Sequence, residues 1–170
     1  MIIDLKNELD VKAYLDTMVD FVDELTHIVY IDADEDINMK VAEFFTNTRT
    51  GGKLVLFVGL YDGMTDLMSQ KDNYEFVFSL SVLRQVSDKK TETMLTMRKA
   101  TRECLLNIIG KMVLDESQSR EEKADIGWEW KREDERFIPS GEMGSVKAYG
   151  FTTSLELLVD VSSVLYKNLD

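Results

Sequence analysis

Residues Lys53 to Tyr61 read KLVLFVGLY, a run that is apolar on both of the faces a strand presents. Strand side chains alternate from face to face. A strand apolar on both belongs in the middle of a sheet. The rest of the chain must therefore supply neighbours for it and cover over it. The loop Thr46 to Gly52 leads into the run, and Asp62-Gly63 closes it.

Three further segments alternate as strands. Tyr74 to Val86 places Phe76, Phe78, Leu80 and Val82 on one face, with Glu75, Ser79 and Ser81 on the other. Ile126, Trp128 and Trp130 alternate with Gly127, Glu129 and Lys131. Tyr149 to Val161 sets Phe151, Thr153, Leu155, Leu157, Val159 and Val161 against Thr152, Ser154, Glu156 and Asp160.

Helical spacing marks other segments. Val11, Tyr14, Leu15, Met18, Val22, Leu25 and Val29 recur at intervals of three and four and predict a helix over 10–29, with Asp10 as its N-cap. His27 to Ile31 is either the end of that helix or a short extended piece. Asp34-Glu35-Asp36 before Ile37, Val41, Phe44 and Phe45 predicts a second helix over 35–46. The longest helix is predicted over 91–114, with Met94, Met97, Cys104, Leu105, Ile108 and Met112 on one stripe. DESQSREEKAD (115–125) reads as a solvated connection, and 137–144 as an irregular loop. The expected fold is one α+β domain over 1–170 in the order α-α-β-β-α-β-β. Its antiparallel sheet has about four strands, with helices on one face.

Composition narrows the function. The chain has 170 residues, a net charge of −12, one cysteine, one histidine and one proline. A single cysteine forms no intrachain disulfide. The first eight residues are too charged for a signal peptide, and the apolar runs are too short to span a membrane, so a cytoplasmic location is expected. The acidic balance opposes phosphate-directed nucleic-acid binding. His27 lies at the tail of an apolar helix and Cys104 on the apolar stripe of the long one, and both read as structural. One of each makes neither a nucleophilic pair nor a zinc site. Gly51-Gly52 and Gly59 to Gly63 lack the signature of a phosphate loop, and no cofactor is expected.

Asp32, Asp34, Asp36 and Glu43 occupy positions one, three, five and twelve of an EF-hand-like count. Ile37 stands where that loop needs glycine, and Lys40 stands at the ninth position. The run reads better as an acidic helix N-terminus, with a weak divalent-cation site as the alternative. Arg98, Lys99 and Arg102 form a basic cluster that reads as a solvated helix face. Trp128 and Trp130 read as core aromatics.

Extended strands leave sheet edges, and an edge is a template for another chain. An extended loop or arm near 131–150 would reach a neighbouring subunit, with Phe137, Ile138, Met143, Val146, Tyr149 and Phe151 as interface candidates.

The segments KLVLFVGLYDG, YEFVFSLSVLRQV, TMLTMRKATRECLLNIIGKM, IGWEWKRE and AYGFTTSLELLVDV follow an N-terminal helix pair. In this order the chain resembles the tail-terminator and neck (head–tail completion) proteins of tailed bacteriophages. The two helices and the 131–148 segment go beyond the simplest form of that family. The resemblance implies a non-enzymatic structural protein of the virion. It would assemble as a homo-oligomeric ring against neighbouring virion proteins, with DNA at most sliding through an acidic lumen. The alternatives are a cytosolic acidic adaptor or inhibitor of a basic partner, and a carboxylate-dependent divalent-metal enzyme.

Overall fold

The structure is a computed structural model describing residues 3–32, 34–66, 73–123, 126–131, 137–143 and 146–160. It is an α+β fold built on a mixed sheet of six strands. In chain order the elements are α1 (Glu8–Asp16), α2 (Met18–Phe21), β1 (Leu25–Ile31), α3 (Ile37–Asn47), β2 (Leu54–Asp66), β3 (Asn73–Gln85), α4 (Thr91–Glu122), β4 (Trp128–Lys131), β5 (Ile138–Met143) and β6 (Ala148–Asp160). The strands lie side by side as β1-β2-β3-β6-β4, with β5 also on β6.

The first correction concerns residues 10–29. The helix starts earlier than expected, at Glu8, because the Asn7 side chain accepts from the Leu9 and Asp10 amides at 2.9 and 3.1 Å. It stops at Asp16, a single turn follows, and Leu25–Ile31 is a strand. Thr26, Ile28, Val29, Tyr30 and Ile31 are β-branched or aromatic and favour extension over helix. β1 pairs β2 in parallel, from Leu25↔Leu54 to Ile31↔Gly59. Parallel neighbours need a crossover, and α3 is that crossover.

The second correction concerns cover, since helices lie on both faces of the sheet. On one face Leu54, Leu56 and Val58 of β2 join Phe76, Phe78, Leu80 and Val82 of β3 and Leu155, Leu157 and Val159 of β6. Residues of α1, α2 and α4 close this core, among them Leu15, Met18, Leu105, Ile108 and Met112. On the other face Val55 and Phe57 meet Val41 and Phe45 of α3, with Ile31, Leu83 and Ala148. The double-faced character of KLVLFVGLY follows from this arrangement. Burying Phe57 fully contributes on the order of 2–3 kcal/mol.

The third correction concerns α4, which runs to Glu122 through a stretch expected to be solvated. Asp115, Glu116 and Ser119 are buried there, and each has a partner. Tyr14 donates to Asp115 at 2.9 Å, Lys111 pairs with the same carboxylate, and Arg120 pairs with Glu116 at 3.0 Å. The Ile3 amide donates to the Ser119 hydroxyl at 3.3 Å.

The fourth correction concerns β5. Residues 138–143, expected to be loop, pair antiparallel with β6. Together β4 and β5 form a split edge strand: Trp128↔Val159 to Lys131↔Glu156, then Ile138↔Thr152 to Met143↔Ala148. The sheet is therefore six-stranded and mixed, and the order is not the expected α-α-β-β-α-β-β.

Gly150 of β6 lies hard against β3. A Cβ there would sit 1.8 Å from the Val82 carbonyl oxygen, so Gly150→Ala must push these two 13-residue strands apart. We expect a loss of about 3 kcal/mol or more in denaturant unfolding. The matched control is Gly110→Ala on α4, whose Cβ meets open space. It should raise stability by about 0.5–1 kcal/mol.

Candidate functional site

The residues expected to carry chemistry are distributed by the fold rather than gathered. His27 lies half-buried on β1, its ring edge-on to Phe44 at 5.4 Å and its Nδ1 2.9 Å from the Thr26 hydroxyl. Cys104 is buried on α4. Asp36 caps α3, accepting from the Asn38 and Met39 amides at 2.7 and 3.3 Å. Glu35 accepts from the Asp32 amide at 3.0 Å and pairs with Lys40 at 2.6 Å, and the Lys40 ammonium holds the Glu35 carboxyl below its ordinary range. Asp34 and Glu43 are exposed. Among the described residues no three of His, Cys, Asp or Glu converge as metal ligands, and the acidic run works as a helix start. Trp128 and Trp130 are buried, 5.8 Å apart and edge to face, with Trp130 5.7 Å from Phe78. The Trp128 indole donates to the Ile3 carbonyl at 2.9 Å.

The six interface candidates separate. Tyr149 is buried with Val86 and Met97, and its hydroxyl donates to Glu142 at 2.9 Å. Phe137 and Phe151 pack half-buried on the main core, and Val146 on the smaller one. Met143 ends β5, and its side chain lies outside the described residues. Ile138 is 60% exposed at the start of β5. Among the described side chains of this set, Ile138 is the one that offers a large exposed apolar group.

A cleft of about 640 Å³ opens where α4 begins, lined among others by Gly52, Arg84, Lys90, Glu92, Thr93 and Met97. Asp88 already serves this helix start, accepting from the Lys90 amide at 3.1 Å and pairing with its ammonium at 3.6 Å. Of the charged groups lining the cleft, Arg84 and Lys90 face Glu92, and Lys90 is already engaged by Asp88 beside it.

The sheet edges are more distinctive. The β1 ladder ends at Ile31↔Gly59, whereas β2 continues to Asp66 and there pairs only with β3. Residues 60–66 thus present a backbone edge with no neighbour among the described strands. The expected end of this strand at Asp62-Gly63 is instead a bulge between Tyr61 and Met64. At the opposite edge Lys131 is pinned between Glu75 and Glu156 at 2.9 and 2.8 Å, which ties β4 to β3 and β6.

No helix among the described residues is long and apolar enough to cross a membrane. The chain matches no protein-family model and no curated protein.

Burial, with the Glu24 carboxylate adding, pushes the Cys104 thiol up from 9.0 to about 12. At pH 8 its thiolate fraction is then about 1,000-fold below that of a free thiol. Alkylation of the native protein should be slower by a similar factor and become fast only on unfolding. A thiol whose folded pKa is raised favours the native state below its unfolded pKa and loses that contribution as pH rises. The urea midpoint should therefore fall as pH climbs from about 9 towards 12. Tyr14, raised by burial and by Asp115, acts in the same direction.

Proposed function

We propose that this protein is a non-enzymatic structural protein that works through subunit contacts, a ring-forming component of the tail-terminator or neck class of tailed bacteriophages. The observation that carries the reading is the β2 edge at 60–66, which has no neighbour among the described strands, on a long β2–β3 pair that outruns β1. An unpaired edge of this length is a hazard for a protein that works alone and a resource for one that adds a neighbour's strand. The elements in which the resemblance lies support it: the β2–β3 pair, the 32-residue α4 and the 13-residue β6. The net charge of −12 suits a ring through which DNA slides without adhering. The virion, assembled in the host cytoplasm, is the matching location. An acidic adaptor for a basic partner, the other reading of the charge, needs no self-assembly.

Native mass spectrometry and sedimentation of the full chain discriminate between them. We expect a defined multimer, alone or on addition of neighbouring virion proteins. A chain that stays monomeric under both conditions overturns the ring. Binding to duplex DNA at about 50 mM salt should be undetectable, and micromolar or tighter affinity would remove the sliding role.

A further inference from the structure

Two exposed patches on the helical layer carry unspent and opposite charge. The first is a stripe on α4. Leu95, Arg98, Arg102 and Leu106 follow one another at intervals of three and four residues, and Lys99 lies four after Leu95 and three before Arg102, so the five share one face. Leu95 is 60% and Leu106 45% exposed. Lys99 reaches Glu103 only at 3.9 Å, and neither guanidinium has a hydrogen bond or ion pair among the described residues. This matters because acids exceed bases by twelve in this chain. Two arginines left unpaired amid such an excess are available to something outside the fold, and arginine is the cation best suited to interfaces.

The second patch surrounds α2. Phe21 is 49% exposed. Asp20, Asp23 and Glu24 flank it, all exposed and without ion pairs among the described residues. The two patches are alike in plan: an exposed apolar centre bordered by unpaired charge, cationic in one and anionic in the other. Lys111 lies 5.5 Å from the Phe21 ring centroid, so the ring already accepts a cation. Arginine stacks on such a face.

We propose that the α4 stripe of one copy docks on the α2 patch of a second copy. The occupant is another copy of this chain, because the same chain carries both complementary halves. Two complementary patches on one chain can meet reciprocally across a two-fold axis or head to tail, and the ring reading above selects the head-to-tail arrangement. Head-to-tail contacts generate rings when the rotation closes. The inference rests on the ring reading above and gives that ring a subunit interface.

The test is a charge swap in the full chain, read by native mass spectrometry and sedimentation, with circular dichroism to confirm folding. Arg98→Glu with Arg102→Glu, and separately Asp20→Lys with Asp23→Lys, should each raise the dissociation constant of assembly at least about tenfold. A one-to-one mixture of the two variants should restore the multimer, because the reversed patches complement each other. Raising salt from about 50 to about 500 mM should weaken assembly of the parent chain. If both variants assemble like the parent, this interface is wrong while the ring stands. If each variant is weakened but the mixture is not rescued, the patches do not face each other and the inference falls. A parent chain that never assembles removes the ring and this inference together.

Discussion

Strand β6 is the constraint on which the rest depends. Along one edge it pairs with β3 over thirteen consecutive positions, from Asn73↔Asp160 to Gln85↔Ala148. Along the other it holds β4 at its C-terminal half and β5 at its N-terminal half. Its alternating side chains carry Leu155, Leu157 and Val159 into the core beneath α4, while Thr152 turns to the opposite face and joins the hydroxyls of Ser81 and Ser140, each 2.8 Å away. A strand paired on both edges along most of its length has little freedom of register, because a slip of one residue would exchange the apolar and hydroxyl faces. The late segments then have few places to go. Trp128 and Trp130 must enter the core from the edge, which sets where the far end of α4 can lie.

That far end is secured by polar groups. Tyr14, Lys111 and Asp115 form one cluster, and Arg120, Glu116 and the Trp128 carbonyl form another. The segment before α1 is threaded between them, with the Ile3 amide on Ser119 and the Ile3 carbonyl on the Trp128 indole. Buried carboxylates are costly unless every lone pair finds a donor. Here the donors to the acids come from α1 and α4, so these two elements must dock together. The Ile3 bonds to Ser119 and Trp128 then specify how the chain start meets the last turns of the long helix.

This explains which parts of the fold were legible from the residues. Strands with strict alternation, such as Tyr74 to Val86 and Tyr149 to Val161, fall within one residue of their observed limits. The acidic run before α3 read correctly as a helix start, because Asp36 caps it by local geometry. β1 was legible only in part, as the extended alternative for His27 to Ile31, because Leu25 and Val29 continue the helical spacing set by Val11 to Val22. Its tertiary pairing with β2 overrode that phase. DESQSREE concealed the end of α4, since only the positions of Tyr14 and Ser119 in space reveal that two of its acids face inward. β5 has glycine and proline (Pro139, Gly141) and is a strand only because β6 offers it an edge. As for the candidate site, Arg98, Lys99 and Arg102 were visible as a cluster. That the two arginines have no acid of their own could be learned only from the fold.

The charge of the chain takes on a different meaning once those arginines are placed at a contact. A net charge of −12 averaged over a monomer is a mild field. Docking through α4 and α2 sequesters two arginines and the carboxylates that meet them, and so removes local attraction without changing the total. Asp32, Asp34 and Glu43 around α3 are exposed and stand apart from that contact. The proposed self-assembly through opposite charge would engage Arg98 and Arg102 of α4 with protein and so withdraw them from phosphate. In the proposed ring, cohesion between subunits and indifference to a polymer inside would both follow from how one excess of acid is distributed.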